Sequence, residues 1–368
     1  YIPMGAFTSG DQSTFFSAGR VGGKYSYGSA HTTWWNYTQM RSINKFLENL
    51  EEAKTAGTIN EIQYKTYKGE ALFIRAYCYF GGVKLTGGMP LVSEVLDKYY
   101  DGGENAGLYV PRSTEKETWD FIIKDLDDAI ALLPETISSR DYAANKYVAL
   151  ALQSRVALWA ASESKYWDSR SLKPYGYTAV DHELTLMKPE YANAYYQKCI
   201  EASAAIINSG KYSLYGFSGA PLDPASAKKA LTDLFQTIQP GEYIFGKNYK
   251  NGVASSDNGT ESWAPFQASP AGWTKGTRPI TLNMVDQFAD RAADGSTIKG
   301  KVKTRISGDE EYALEDPYNK TETVKAIEAD LIRYNSIDEP FLNKDARFQA
   351  WVAYPNSVFR GKTMTMQA

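Results

Sequence analysis

The feature that most constrains this chain is a succession of amphipathic helix patterns between residues 33 and 210. In the first, Tyr37, Met40, Ile43, Leu47 and Leu50 recur every three or four positions, as one buried face of a helix requires. Asn44, Glu48 and Glu51 fall on the other side. The spacing predicts a helix over 33–54, with Gly57 as its C-cap. A second pattern, over 59–85, is apolar around most of its girth (Leu72, Phe73, Ala76, Tyr77, Tyr79, Phe80, Val83), so neighbours must surround it. Gly87-Gly88-Met89-Pro90 breaks it. A third opens at Ser113 or Thr114, where Thr114 and Glu117 have capping-box spacing, and stops at Pro134. A fourth, over 143–162, carries Ala149, Ala151, Ala157, Ala160 and Ala161, small enough to let another helix approach closely. A fifth runs from Pro189 to 207 and ends at Asn208-Ser209-Gly210. Successive helices joined by turns and loops pack as antiparallel pairs, with Leu72, Phe80, Leu126 and Val156 predicted in the core.

After residue 215 Pro, Gly, Ser and Asn become frequent. Only short elements are expected there, at 225–235, 243–247, 282–288 and 348–354. The fold class is therefore mainly α: helix pairs over 1–215 and a loop-rich lobe over 216–368, joined in one integrated fold. A net charge of −3 provides no field for a phosphate backbone, which excludes nucleic acid as the natural partner. Cys78 and Cys199 cannot build a disulfide framework, and with two histidines they make a poor zinc site. They read as buried free thiols, and no metal or cofactor is expected. No apolar run reaches the roughly 18 residues that a membrane span needs. The abrupt start at Tyr1, the abrupt stop after Met364-Thr365-Met366 and the lack of a signal peptide point to a longer precursor.

Catalytic constellations are hard to find. Asp127-Asp128 and Glu51-Glu52 are neighbouring carboxylates, but on helices they diverge and read as solvated faces. His31 and His182 lie in polar sequence with no nucleophile elbow, and Gly22-Gly23 and Gly102-Gly103 lack the Lys-Ser/Thr of a phosphate loop. Distant carboxylates facing each other across a bond stay open at this point, so an α-helical carbohydrate-active enzyme remains an alternative.

Binding is better supported. The chain has 27 tyrosines and 8 tryptophans, and several stand in loop-like sequence where core packing does not explain them. Consecutive Trp34 and Trp35 at a helix start cannot both face a core, and Asn36 follows them. Trp263 and Trp273 lie in segments of loop composition. An exposed tryptophan forgoes roughly 1.5–3 kcal/mol of burial, so a loop-borne one suggests a ligand or a partner. Tyr99-Tyr100, Tyr166-Trp167, Tyr175 and Tyr177 are weaker cases that fit a protein interface equally well. Trp119, Trp159 and Trp351 lie on apolar stripes and read as core.

Several stretches, in order, resemble the SusD/RagB family. Gly69-Glu70-Ala71-Leu72-Phe73-Ile74-Arg75-Ala76-Tyr77-Cys78-Tyr79-Phe80 followed by Gly87-Gly88-Met89-Pro90-Leu91 is similar to the family's helix and the turn after it. Pro111-Arg112-Ser113, Asp125-Leu126, Leu132-Leu133-Pro134 and Ser209-Gly210-Lys211-Tyr212-Ser213-Leu214 follow in family order, as do Asn283–Phe288, Asp294-Gly295 and Asp345-Ala346-Arg347-Phe348. Ala346 stands where the family usually has Pro, and Ala143-Ala144-Asn145-Lys146 replaces a usual Gly-Arg helix entry. The resemblance implies tetratricopeptide-like helix pairs in a non-catalytic lipoprotein on the outside of the outer membrane. Such a protein would be anchored through an N-terminal Cys that this sequence does not contain. It further implies a SusC-type TonB-dependent barrel transporter as partner, and an oligosaccharide ligand or, in some members, a peptide. Taken with the resemblance, Trp34 or Trp35 together with Trp263 or Trp273 is expected to form an aromatic platform, edged by Asn36, Asp11 and Tyr99.

Overall fold

The computed structural model describes residues 37–96, 110–137, 143–167, 178–234, 237, 241–246, 285, 288–291, 297–298, 304–306, 332–334, 336, 338–359 and 361–364. The chain divides into two compact units: one of residues 31–213 with 241–249, the other of 1–30, 214–240 and 250–368.

The first unit is helical. Helix α1 (Tyr37–Thr55) ends where Gly57 takes φ +69° and Thr58 N–H reaches back to the Ala53 carbonyl at 3.0 Å. These are the left-handed residue and the long back-bond of a Schellman cap. Helix α2 (Glu61–Thr86) opens on a full capping box between Asn60 and Gln63. Helix α3 (Glu115–Leu132) opens on the expected box between Thr114 and Glu117. Helix α4 (Lys146–Tyr166) is capped by Asn145, whose side chain accepts from Tyr147 N–H and Val148 N–H. A one-turn helix α5 (Thr178–Asp181) and a 3-10 turn (Pro189–Tyr191) lead into α6 (Ala192–Asn208).

Pairing is antiparallel, because small and polar contacts run in opposite order along neighbours. Arg75 on α2 meets Asp125 on α3; four residues further along α2 and four back along α3 the rings of Tyr79 and Phe121 meet edge to face at 5.0 Å, followed by Phe80 and Trp119 at 6.0 Å. Between α4 and α6, Ser154 contacts Cys199 and Ser203 while Tyr147 meets Tyr212. One core runs through α1 to α4 and includes Leu72, Phe80, Trp119, Ile122, Leu126 and Val156, with Ala157, Ala160 and Ala161 fully covered. The four side chains predicted in the core are all there. Cys78 and Cys199 are free but only half-buried, a correction to the reading of them as buried thiols.

The second unit has short elements. Helix α7 (Pro224–Leu234) packs against α9 (Ala346–Trp351), which follows the single turn α8 (Glu339–Leu342). Phe348 is completely buried, with the rings of Phe288, Phe341 and Tyr354 at 5.5, 5.9 and 5.5 Å and Val285 beside it. Asp345 caps α9 by accepting from Arg347 N–H and Phe348 N–H. Ala346 is thus the first helical residue, a position that suits Pro but does not require it, which explains why its departure from the expected Pro is harmless. Lys344 is buried and donates to the Phe288 carbonyl and to Asp290, each at 3.1 Å. Strand pairs are tiny: Asp290–Arg291 antiparallel with Thr297–Ile298, Thr304–Ile306 parallel with Ile332–Tyr334, and Val358–Phe359 antiparallel with Lys362–Thr363. The element expected over 243–247 is absent: 241–246 is a turn, in which Gly241 accepts from Ser213 N–H and Phe245 sets its ring edge-on to Phe73 at 5.8 Å. The structure is mainly α, as expected.

Candidate functional site

The residues proposed from sequence as the ligand platform, Asp11, Trp34, Trp35, Asn36, Tyr99, Trp263 and Trp273, lie outside the described residues, as does His31. The described stretch that precedes Tyr99 in the sequence begins at the end of α2. It is a strap, residues 87–96.

The strap begins at a backbone conformation open chiefly to glycine. Gly87 has φ +71°, and a Cβ there would lie 2.3 Å from the Leu184 carbonyl oxygen. A Cβ on Gly88 would lie 2.0 Å from the Ser113 carbonyl oxygen. Met89 then turns its thioether under Gly82, and its N–H donates to Thr118 Oγ1 at 3.0 Å. The Gly-Gly-Met pattern is therefore a packing requirement: two backbones and a side chain pass where no other side chain fits.

From Pro90 to Leu96 the strap lies in neither helix nor sheet, so its peptide groups need other partners. Side chains of α1 and α2 provide them. The Pro90 carbonyl accepts from the hydroxyls of Tyr37 at 3.0 Å and Tyr79 at 3.1 Å, while Tyr79 Oη accepts from Val92 N–H at 2.8 Å. Burial pushes both phenols up, so they stay protonated donors. Asn44 Nδ2 donates to the carbonyls of Val92 and Glu94 at 3.0 and 2.9 Å. Arg75 Nη1 donates to Ser93 at 3.3 Å, and Arg41 donates to Leu96. Asn44 is thus buried, a correction to its placement on the solvent side of α1. Apolar periodicity cannot recognise a polar residue that is buried because a backbone needs it.

Beneath the strap, Arg75 forms a two-pronged pair with Asp125, Nε and Nη2 each 2.7 Å from a carboxylate oxygen, and also donates to Asn44 Oδ1 at 3.0 Å. Both side chains are nearly inaccessible, at 7% and 5% exposure. Burial pushes the Asp125 carboxyl up, and the two guanidinium donors pull against it. On the other side, Arg112 donates to the carbonyls of Gly88 and Thr86, and Ser113 N–H to Met89 at 3.1 Å. Residues 87–96 and 112–113 are thus each tied to their neighbours through backbone carbonyls and amides.

Asp127 accepts from Gln153 and Lys198, Asp128 pairs with Lys124, and Glu51 accepts from Tyr64 and Lys68, which hold its carboxyl below the usual range. These are surface pairs rather than facing catalytic carboxylates. His182 is exposed in a turn. Trp119 is core, and Trp167 donates its indole N–H to the Thr185 carbonyl at 3.0 Å while packing on the core. Trp159 and Trp351 are not core: they are 42% and 36% exposed. Helix α4 is apolar on every side, and only the placement of α3 and α6 decides which face goes uncovered; it is the one bearing Arg155, Leu158 and Trp159. Among the described residues no group of three or more His, Cys, Asp or Glu is placed to hold a metal, and no helix is long and apolar enough to cross a membrane.

Comparison with known proteins places these features. Residues 21–158, which contain the arginine-bearing helix, the strap and the Asp125 helix, match the SusD-like family described as "Starch-binding associating with outer membrane". A SusD-like protein of Formosa agariphila is 32% identical over 103 residues, 27% of this chain and 19% of that protein. A SusD-like protein from Bacteroides fragilis has a crystal structure similar to this one with a TM-score of 0.58, at 21% identity, over 96% of this chain and 57% of its own. A SusD-like carbohydrate binding protein from the same species gives 0.54 at 15% identity, over 91% of this chain and 48% of its own. The chain thus spans about half the length of these two structures and a fifth of the curated relative. Residues 21–158 thus match the SusD-like family model, and the fold over most of the chain is similar to that of SusD-like crystal structures.

Proposed function

We propose that this protein captures oligosaccharides at the cell surface and hands them to a SusC-type TonB-dependent barrel in the outer membrane, without turning them over. The observation that carries this reading is the match of residues 21–158 to a family described as starch-binding and associated with the outer membrane. A carbohydrate-binding protein among the structures of similar fold supports it. The barrel would carry the captured sugar across the membrane, and a lipid on an N-terminal Cys would hold this protein beside it. The proposed ligand platform is Trp34 or Trp35 with Trp263 or Trp273, edged by Asn36 and Asp11, with Tyr99 as a further ligand-binding residue.

Titration calorimetry against α-glucans and a mixed glycan panel, with chromatography of the recovered sugars, tests the reading. Binding with unaltered sugars is expected, weakened in the Trp34→Ala, Trp35→Ala, Trp263→Ala or Trp273→Ala variants. Catalytic excess of hydrolysed product, removed by one carboxylate substitution, would show an enzyme instead. Mild detergent extraction of intact cells should recover the protein with a large barrel; recovery only as a free species counts against the transporter partnership.

A further inference from the structure

The uncovered face of α4 meets the C-terminal end of α2 in a cluster that the strap does not involve. Trp159 leaves 42% of its surface in solvent and is supported from behind by Phe80, whose ring stands edge-on to it at 6.1 Å and 84°. Lys84 Nζ sits 4.3 Å from the Phe80 ring centre and 5.1 Å from that of Trp159. Arg155 lies one turn before Trp159 on α4, so the two side chains share a face. Its charge acts on Lys84: burial first and Arg155 second hold that ammonium below its usual value. No carboxylate among the described residues pairs with either cation. Surface lysines elsewhere on these helices have partners, as in Lys68–Glu51, Lys116–Asp120, Lys124–Asp128 and Lys198–Asp127. Both cations therefore stand by an exposed indole, Lys84 near its ring and Arg155 one turn away on the same helix.

We propose that Trp159, Lys84 and Arg155 form a binding subsite for an anionic saccharide unit, one carrying a carboxylate or a sulfate. The indole offers a flat face to the C–H side of a sugar ring, already braced by Phe80 so that little freedom is lost on binding. The two cations supply charge-assisted hydrogen bonds to the acidic substituent, which relieves their mutual repulsion. The assignment rests on the saccharide-capturing reading above and gives it a substrate class.

The test uses the full chain and three probes: oligogalacturonate, a sulfated dextran oligosaccharide and neutral maltoheptaose. The anionic probes should bind in a salt-sensitive way. Trp159→Ala should weaken them roughly 5- to 150-fold, taking base–aromatic stacking as the guide, and Trp159→Phe should restore part of the loss. Lys84→Gln and Arg155→Gln should each weaken them about tenfold. These positions are exposed, and an unchanged helical thermal transition checks that each variant is folded. Maltoheptaose binding that all variants retain, with no binding of either anionic probe, overturns the subsite and leaves saccharide capture standing. No binding of any saccharide overturns both. A hexaglutamate peptide that binds as tightly and with the same dependence on Trp159 would make this a peptide site and overturn the saccharide assignment.

Discussion

Replacing Arg75 by Met tests whether the buried pair under the strap holds the helical unit together. Asp125 would keep its 5% exposed carboxylate and lose both of its guanidinium donors. Breaking a buried pair from one side costs about 3–5 kcal/mol, because an uncompensated charge remains. The Ser93 carbonyl and Asn44 Oδ1 lose a donor as well, each loss worth about 1–3 kcal/mol if no water replaces it. These losses overlap, so a total near 5 kcal/mol is expected, a third or more of the stability of an ordinary domain. The partner change Asp125→Leu strands Arg75 and should cost a similar amount. The double variant removes both charges together, and an apolar pair of similar volume is close to neutral. Only the Ser93 and Asn44 losses then remain, so the double should be less destabilised than either single variant. Urea unfolding followed by far-ultraviolet circular dichroism reads this out, since the long helices are concentrated in this unit. A cost below about 1 kcal/mol for Arg75→Met, or a double variant equal to the sum of the singles, would refute the reasoning.

Gly88→Ala places a methyl 2.0 Å from the Ser113 carbonyl oxygen, so a loss of about 3 kcal/mol or more is expected in the same unfolding assay. Asn44→Leu preserves volume but frees the Val92 and Glu94 carbonyls; about 1–3 kcal/mol of stability and faster amide exchange along 92–96 should follow. Lys344→Met leaves Asp290 and the Phe288 carbonyl without their common donor, and calorimetry should show the second unit melting earlier while the helical unit is unmoved. In that second unit the bonds from Arg347 and the α9 amides outweigh burial and hold the Asp345 carboxyl below its usual value. Its stabilisation is therefore fully present above an unfolded carboxylate value of about 3.9 and lost as pH falls through the lower folded value; Asp345→Asn should flatten that acid-side slope.

The sequence by itself determined the helices, their order and most of their ends. Apolar spacing, the Thr114–Glu117 box, Gly57 and Pro134 are local signals, and a helix is a local structure whose hydrogen bonds close within four residues. The buried positions of Leu72, Phe80, Leu126 and Val156 were legible for the same reason. Tertiary structure alone decided which side of a helix has a neighbour. Asn44 looked solvent-facing and is buried because the strap needs its amide; Trp159 looked buried and is open because α3 and α6 cover the other faces of α4. Arg75 and Asp125 stand 50 residues apart, and only folding brings their charges into contact. For Trp34, Trp35, Trp263 and Trp273 the sequence offers only loop-like composition, and whether loop-borne side chains share a site is a matter of long-range packing that no local period encodes.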